Sequence, residues 1–419
     1  MILSVPILLT MRSNTAPVPN SAVVISRGSI LAAGPADKII KQYPGHRVLR
    51  MENTVLMPGL VNLHTHLELP PLLDTIRSTT FTAWALNLIK AKKGLINNDY
   101  AAAVRINIDT LINTGTTTVG EICTHGISPA YLQQSGLRAI LFHEIISMNP
   151  LINFRGPKHA AASARTIQTG ISPHAPHTVS EEVLIEINKL AVRKRVPLSM
   201  HVAESKDEIR LLQRKKSGLE KLYQFADWEL AWAPTGSSSF EYLNRIGFLS
   251  PNLLAVHAVQ TSDNDIRLIK KSKVSIAHCP RSNKELGVGR MPLKKFLDAG
   301  ITVGLGPDSL ASSPTLNLWD EMRYAYQVHR RSGVTPRDIF NMATMGGARA
   351  LGMDQEIGSL EPGKKADLIA VSLPPKNTGD IYSDLLRETK TCIMSMVNGH
   401  VVYPEDSSRN RLLKKTLKG

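Results

Sequence analysis

The chain has 419 residues, of which 42% are hydrophobic and 20% charged, a composition typical of a globular protein and not of a disordered one. The formal net charge is +15, but the basic residues are scattered, with their densest patches at 214–216 and 409–418, and no aromatic residues interleave with them, which argues against a nucleic-acid partner. Three widely spaced cysteines without a CxxC pair exclude a disulfide framework and a thiolate zinc site, and they indicate a cytoplasmic protein.

The two ends of the chain are rich in short β-strands. The opening MILSVPILLTM is apolar but has neither a basic segment nor a cleavage site, and no later stretch reaches membrane-spanning length. We therefore predict a first strand there and no membrane partner. Further strands are predicted at 21–25, 29–33, 47–51, 366–371, 392–397 and 400–403. This pattern predicts one small β-sandwich domain, formed by residues 1–56 together with 358–419.

Between these ends, β-rich runs alternate with amphipathic helices, which is the pattern of βα units and a parallel sheet. Candidate strands lie at 55–64, 116–122, 138–146, 166–173, 196–202, 253–258, 274–278 and 301–305. Eight units favour a closed (β/α)8 TIM-like barrel over residues 57–357 rather than an open, doubly wound sheet. Thr178 with Glu181, and also Ser262, are typical of helix N-caps.

Several polar residues follow the predicted barrel strands. The HTH sequence at 64–66 ends the first strand, where residues two apart point to the same side. His201, His257 and Asp308 each follow another strand, on the rim where barrel enzymes assemble their active sites. Imidazoles with a carboxylate suit Zn(II) or Fe(II). An HxH alone is more typical of two exposed residues, but several such residues on one rim favour a metal site.

Glu204 follows His201 by three residues, in the sequence HVAES. At this spacing a carboxyl group can lie beside a bound metal without coordinating it, as a proton-transfer residue must. The same residue is equally typical of a helix N-terminus, where a negative charge is stabilised by the helix dipole.

The motifs PGLVNLHTH, SPHAPHTVS, HVAES, AHCPRSNKELG, VGLGPDS and IGSLEPGKKADLIAV resemble the amidohydrolase superfamily. More closely, they resemble its branch of cytosine, guanine and adenosine-type deaminases and triazine chlorohydrolases. They follow in the expected order over nearly the whole chain. The last motif has no role in catalysis in that family, so it supports the resemblance independently of the metal site.

The resemblance implies one divalent metal ion, zinc before iron, with its ligands at His64, His66, His201 and Asp308. It further implies that His257 positions the activated water, that Asp308 serves as its base, and that Glu204 carries a proton to a ring nitrogen and the leaving group. Hydroxide would attack an amidine carbon, and ammonia would leave. The fourth strand lacks the lysine that bridges two metals in binuclear relatives.

Within this branch, Glu68 in HTHLE and Trp84 in FTAW look like the aminodeoxyfutalosine deaminases of menaquinone biosynthesis. The chain departs from the common pattern at Pro70 and at His177. By resemblance His174 contacts a purine ring nitrogen, and Trp84 lines the pocket, although tryptophan in a helix is more often core. We therefore expect Glu68, Trp84, His174 and His177 to contact a small heterocyclic substrate.

Three other functions stay open at this point. The same site fits an adenosylhomocysteine or methylthioadenosine deaminase, and it also fits a triazine-type chlorohydrolase. A non-catalytic binding protein that inherited the barrel is disfavoured by the complete ligand set. A homodimer is also left open.

Overall fold

The computed structural model describes residues 1–149, 166–374, 379–389 and 391–403. The basic patch at 409–418 lies outside the described residues, as does the C-terminal end of the predicted β-domain. No helix within the described ranges is long and apolar enough to cross a membrane.

The strands follow in chain order. They are β1 (Ile2–Leu8), β2 (Val18–Ser26), β3 (Ser29–Pro35), β4 (Val48–Arg50), β5 (Thr54–Pro58), β6 (Leu60–Thr65), β7 (Thr116–Cys123), β8 (Arg138–Ile145), β9 (Ile167–Pro173), β10 (Leu198–Val202), β11 (Leu253–His257), β12 (Ser275–His278), β13 (Val303–Leu305), β14 (Leu368–Ser372), β15 (Met394–Val397) and β16 (His400–Tyr403).

The helices are α1 (Ala36–Gln42), α2 (Leu73–Ile76), α3 (Phe81–Lys92), α4 (Asn97–Asn113), α5 (Ser128–Ser135), α6 (Glu181–Lys194), α7 (Lys206–Leu212), α8 (Glu220–Phe225), α9 (Ser239–Arg245), α10 (Asp263–Ser272), α11 (Pro280–Glu285), α12 (Leu293–Asp298), α13 (Leu318–His329), α14 (Pro336–Met342), α15 (Met345–Ala350) and α16 (Ile381–Glu388). Short 3-10 helices lie at Leu230–Trp232 and Arg330–Ser332.

Strands β6 to β13 form the predicted parallel barrel. They lie side by side in chain order, and every pairing between neighbours is parallel. A parallel bridge between Thr65, the last residue of β6, and Asp308, three residues after β13, brings the first and last strands together. Parallel strands connected through helices are buried on both faces, and β7, β10 and β11 are accordingly buried along their whole length.

Strands from both ends of the chain form a second, mixed sheet, as the sequence predicts. Its order is β16-β15-β14-β5-β1-β2-β3, and β4 pairs with β1. Buried side chains that include Leu3, Val5, Val23 and Leu368 form its own hydrophobic cluster. The fold is therefore a TIM-like barrel with a small β-domain built from both termini.

The single barrel strand predicted at 55–64 is wrong in one respect, because the chain divides it between the two sheets. β5 pairs with β1 and β14 in the terminal sheet, and only β6 enters the barrel. Gly59 forms the junction, where a Cβ atom would lie 2.0 Å from Oγ1 of Thr117. The terminal sheet therefore extends past residue 56, to Pro58.

A buried ion pair joins the barrel to the terminal sheet. Nε and Nη2 of Arg138, at the start of β8, donate to the two carboxylate oxygens of Asp367 at 2.8 and 3.2 Å. Asp367 precedes β14 and also accepts from the backbone N–H of Asn398. Such a two-point contact fixes orientation as well as distance, so the sheet is held in one position on the barrel.

One predicted helix cap is confirmed and one is wrong. Ser262 caps α10 and forms a capping box with Asp265. α6 begins after Ser180, whose hydroxyl accepts from the N–H of Val183, and Thr178 is not its cap. The Thr178 hydroxyl is instead hydrogen-bonded to Nδ1 of His174.

Gly306→Ala tests the closure of the barrel. A Cβ atom at Gly306 would lie 2.8 Å from the carbonyl oxygen of His64 and 2.9 Å from its nitrogen, and backbone cannot give way as a flexible side chain can. We expect a loss of about 1 to 3 kcal/mol in the free energy of unfolding, measured by urea denaturation. Gly34→Ala is the control, since nothing lies within 4 Å of its added Cβ. Equal stability of the two variants would contradict this account.

Candidate active site

The candidate site lies at the carboxyl ends of the barrel strands. His64 belongs to β6, His201 to β10 and His257 to β11, while Asp308 follows β13 by three residues. All four side chains are buried. The rim predicted from the sequence therefore does bring these residues together.

The bridge that closes the barrel also sets the spacing of the first histidines against Asp308. The N–H of His66 donates to the Asp308 carbonyl at 3.1 Å, and the N–H of Asp308 donates to the His64 carbonyl at 3.2 Å. The Thr65 hydroxyl donates to the same Asp308 carbonyl at 2.9 Å. As a result, Oδ1 of Asp308 lies 3.5 Å from Nε2 of His64 and 3.6 Å from Nε2 of His66.

Three imidazoles converge to a metal-binding spacing. The candidate ligand atoms of His64, His66 and His201 all lie within 4.8 Å of one another. The ring centre of His64 lies 5.0 Å from that of His66 and 4.9 Å from that of His201. Together with the free oxygen of Asp308, these atoms form the N/O set that suits zinc or iron.

The protonation states favoured in this cluster suit the binding of a cation. Burial lowers the pKa of His64 to about 4 and that of His66 to about 3, so both rings are neutral near pH 7. Burial opposes ionisation of Asp308, but its contacts with the His64 ring and then with the His66 ring hold the pKa of that carboxyl well below its usual range. Both ring nitrogens of His64 are buried without a hydrogen-bond partner in the described residues. A bound metal would satisfy one of them.

Hydrogen bonds on the far side of the ligands orient them. Nδ1 of His201 lies 2.9 Å from the carbonyl oxygen of His174, which leaves Nε2 for the cluster. The hydroxyls of Ser282 and Ser312 both donate to Oδ2 of Asp308 at 2.7 Å, which leaves Oδ1 facing the histidines. Such outer partners fix ring tautomers and carboxylate orientation in metal sites.

His257 and Glu204 form a pair beside the cluster. Nδ1 of His257 lies 2.9 Å from Oδ1 of Asn283, and its Nε2 lies 3.4 Å from Oε1 of Glu204. Burial, followed by the negative charges of Asp308 and Glu208, raises the pKa of Glu204 well above its usual range. Burial therefore favours the neutral form of Glu204, whereas the neighbouring histidines favour the ionised form of Asp308.

Glu208 holds the backbone around Glu204 in place. Its carboxylate accepts from the N–H groups of Ala203 and Glu204 at 2.8 and 2.9 Å, and from the Ser239 hydroxyl at 2.5 Å. Ala203 has a positive φ of 54°, so this turn places Glu204 over the end of β10. Glu208 is not among the predicted site residues, because in the sequence it is an ordinary glutamate in the first turn of helix α7.

A cavity opens over these residues. Its polar lining from the rim consists of His66, His174, His177, Thr178, His201, Glu204, His257, Asp308 and Ser309. Its other lining residues are Leu69, Phe81, Trp84, Ala85, Leu88, Ile89, Lys92, Thr124, Glu144, Ile146, Leu222 and Trp228. The exposed lining of the cavity is mainly apolar, and most of its polar groups belong to the rim that carries the histidine cluster, as is usual for small-molecule sites.

Three of the four expected substrate contacts line this cavity. Nδ1 of His174 is bonded to Thr178 at 2.8 Å, so Nε2 is the nitrogen left for a ligand. His177 is buried, with its Nδ1 unpartnered in the described residues. The indole N–H of Trp84 donates to the Ala311 carbonyl at 2.9 Å. Its ring lines the cavity and also packs against a hydrophobic cluster.

The fourth expected contact, Glu68, is placed elsewhere. Its carboxylate accepts from the backbone N–H groups of Thr124, His125, Ile127 and Ser128 at 2.6 to 3.1 Å, and it is 1% exposed. It does not belong to the cavity lining. The expectation that Glu68 contacts the substrate is therefore wrong, because four backbone N–H groups already bond to its oxygens. Glu68 organises the loop that carries Thr124 to the cavity.

Comparisons with known proteins agree with this geometry. Residues 55–402 match the model of the amidohydrolase family. A 5'-deoxyadenosine deaminase of Methanosphaera stadtmanae is 30% identical over 372 residues, which covers 83% of this chain and 82% of that protein. A 5-methylthioadenosine/S-adenosylhomocysteine deaminase of Syntrophobacter fumaroxidans is 28% identical over 405 residues, covering 92% and 85%.

Solved structures share the fold. Helicobacter pylori aminofutalosine deaminase, in complex with methylthio-coformycin, has a TM-score of 0.84 at 22% identity and covers 96% of this chain and 99% of that one. An adenosine deaminase of Xanthomonas campestris with bound zinc has a TM-score of 0.79 at 23% identity, covering 100% and 97%.

Glu68→Gln separates a structural role from substrate contact. In the variant the side-chain NH2 group would face backbone N–H groups, so two donors would meet and at least one hydrogen bond would be lost. We therefore expect a loss of about 1.5 to 3 kcal/mol in the free energy of unfolding. Glu186→Gln, at a 63% exposed side chain, is the control and should leave stability unchanged. Urea unfolding gives the comparison. Normal stability of the Glu68 variant with a raised KM would instead restore the substrate contact.

Proposed function

Because the chain belongs to the amidohydrolase family, we propose that it is a metal-dependent hydrolase that deaminates an adenosine derivative substituted at the 5' position, of the aminodeoxyfutalosine type. The family match confirms the resemblance that the motifs indicate. Similarity to two nucleoside deaminases over more than four fifths of the chain supports the substrate class. The observation that carries the proposal is the position of the buried Glu204, next to His257 and beside three converging imidazoles and Asp308.

The donor set fits one divalent ion. We propose His64, His66, His201 and Asp308 as its ligands, with zinc preferred and iron(II) also compatible. When bound, the ion supplies a water molecule that is acidic enough to react near neutral pH. Neutral imidazoles and a carboxylate fixed by two serine hydroxyls need little reorganisation to accept it.

Glu204 supplies the proton that the heterocycle needs. Attack at an amidine carbon places electrons on the adjacent ring nitrogen, and a carboxyl group with a raised pKa keeps its proton to higher pH and can donate to that atom. The raised pKa of Glu204 has burial as its main cause and the charge of Asp308 as the next. In the proposed reaction Glu204 donates to the ring nitrogen, takes a proton back, and passes it to the departing amino group.

His257 and Asp308 serve the attacking water. Nε2 of His257 is buried without a hydrogen-bond partner in the described residues, and it lines the cavity next to Glu204. It can orient the water, while Oδ1 of Asp308 accepts a proton from it. One C–O bond forms and one C–N bond breaks. The amino group keeps its two hydrogens and leaves as ammonia with one of the two water protons, while the other water proton replaces the one that Glu204 gave to the ring nitrogen.

The remaining cavity residues position the purine. We propose that Nε2 of His174 contacts a ring nitrogen and that Trp84 and His177 bound the ring. Chloride release from a triazine would need none of this, so the nucleoside is preferred over a chlorohydrolase substrate. The three cysteines are buried free thiols, in line with the cytoplasmic location that we propose.

A substrate panel tests the proposal. The purified, metal-loaded protein is incubated with aminodeoxyfutalosine, 5'-deoxyadenosine, methylthioadenosine, S-adenosylhomocysteine and a chlorinated triazine. Ammonia and chloride are measured. Ammonia from at least one nucleoside is the expected result. Chloride release without ammonia, or no product from any compound, would overturn the proposal.

His66→Ala tests the proposed ligand set. Removing one of the three imidazoles should lower the bound zinc from about one ion per chain to a small fraction, because the proposed set of four ligands loses one of its nitrogen donors. Metal content after dialysis is measured by elemental analysis. His177→Phe is the control, since His177 lines the same cavity but lies outside the cluster. Full metal content in the His66 variant would exclude it as a ligand.

Glu204→Gln tests the proton-transfer role. The amide keeps the shape but carries no transferable acid proton, so we expect kcat for deamination to fall about 100-fold to 10,000-fold. Bound metal should stay unchanged, because Glu204 is not a proposed ligand. Ammonia release and metal content are measured together. Glu182→Gln, at an exposed position of α6, is the control. A kcat within threefold of the parent would exclude this role.

A further inference from the structure

The short helix α11 contacts both groups that serve the attacking water in the proposed reaction. The Ser282 hydroxyl donates to Oδ2 of Asp308 at 2.7 Å. The next residue, Asn283, places its Oδ1 2.9 Å from Nδ1 of His257. Ser282 and Asn283 are both buried. The position of α11 therefore contributes to how the Asp308 carboxylate and the His257 ring are oriented.

The start of α11 has no partner within the helix itself. The helix has only six residues, and helices this short are not stable without tertiary contacts. Its N-cap residue, Cys279, forms no side-chain cap, and Pro280 carries no backbone N–H. The N–H of Arg281 is therefore the first donor of the helix, and the helix offers it no acceptor. A contact from elsewhere in the fold has to set where α11 begins.

Glu321 of helix α13 makes that contact. Its Oε1 accepts from the backbone N–H of Arg281 at 2.9 Å, and Glu321 is 0% exposed. Trp319 and Met322, which lie beside it in α13, are buried in the main hydrophobic cluster. The indole N–H of Trp319 also donates to the Thr114 carbonyl at 2.9 Å. Glu321 thus connects α11 to a helix that the core holds in place.

A carboxyl group is not the side chain that packing alone would favour at this position. Oε2 of Glu321 is buried without a hydrogen-bond partner among the described residues. Burial is the main cause that raises the pKa of Glu321 to about 8, so its neutral form is favoured near pH 7. An apolar side chain of similar volume would avoid the free-energy cost of burying this group. The acceptor that Glu321 offers to Arg281 is the property that such a side chain would lack.

We propose that Glu321 is a positioning residue for the deamination. Residues 281–283 bond in turn to Glu321, Asp308 and His257. The hydrogen bond from Arg281 to Glu321 sets the position of α11, and α11 in turn orients the two side chains that serve the water. This inference rests on the proposed function. It adds to it a residue outside both the cavity lining and the histidine cluster.

Two substitutions separate the hydrogen bond from the packing. Glu321→Met removes the acceptor at similar size, so kcat for the most rapidly deaminated nucleoside of the substrate panel should fall about 10-fold to 100-fold. KM and bound zinc should stay within about twofold of the parent, because the cavity lining and the three imidazoles are unchanged. Glu321→Gln keeps an oxygen acceptor for the Arg281 N–H, as the neutral acid does, and should retain kcat within about threefold.

Crystal structures provide a readout that does not depend on turnover. They are determined for the parent, the Glu321→Met protein and the Glu321→Gln protein. In the Glu321→Met protein, the contact of Ser282 with Asp308 or that of Asn283 with His257 should lengthen beyond hydrogen-bonding distance. Both contacts should keep their parent lengths in the Glu321→Gln protein. Urea denaturation reports folding, and if Glu321→Met does not fold, Glu321→Ala, which also removes the acceptor, takes its place.

A mutant cycle tests the path through α11. In a protein that already carries Ser282→Ala and Asn283→Ala, α11 has lost its side-chain contacts with Asp308 and His257. Adding Glu321→Met to that protein should therefore lower kcat by less than about threefold. A further loss as large as the one in the parent background would overturn the proposed path.

Gln327→Met is the matched control, because Gln327 lies on the same helix, is exposed, and does not line the active-site cavity. It should leave kcat and both contacts unchanged. A kcat of the Glu321→Met protein within about threefold of the parent, or equal losses for Glu321→Met and Glu321→Gln, would overturn the role of Glu321 while leaving the deaminase function intact. No deamination of any nucleoside by the parent would instead overturn the function itself.

Discussion

The active site depends on how the barrel closes. β6 and β13 come together through the Thr65–Asp308 bridge, in which backbone groups of His64, His66 and Asp308 bond to one another. The side chains that make the candidate metal site therefore project from the same few residues that complete the fold. Any shift of one closing strand past the other would separate both histidines from the carboxylate. Stability of the barrel and geometry of the site are thus set by one interaction.

This closure makes demands on the backbone that only particular residues meet. Asp308 and His257 adopt positive φ angles of 66° and 72°, which non-glycine residues rarely do. Both lie at strand ends where the side chain must turn into the cavity, and strain of this kind is concentrated at functional sites. Gly306 allows the return strand to approach His64 closely. The surrounding barrel holds these conformations in place.

The sequence predicted the eight barrel strands and the rim residues because alternating apolar runs and polar strand ends are local signals. It failed where the outcome depends on partners far along the chain. The chain divides 55–64 at the turn-type pair Pro58–Gly59, and which sheet each half joins depends on partner strands far along the chain. Glu68 follows a metal-binding motif, yet backbone amides from another loop occupy its oxygens. Ser282, Ser312 and Asn283 likewise orient the site through contacts that spacing alone does not reveal.

The buried carboxyl groups around the site differ in what they accept, and this difference assigns their roles. The carboxylates of Glu68 and Glu208 accept hydrogen bonds from backbone N–H groups, and that of Asp308 accepts from two serine hydroxyls. Glu204 receives no hydrogen bond on its carboxyl group from the described residues, and Nε2 of His257 lies 3.4 Å from its Oε1. Burial without hydrogen-bond donors stabilises a carboxylate poorly and so raises its pKa. The fold thereby favours the neutral form of one acid beside the proposed metal ligands, and that acid is the one that the proposed chemistry requires.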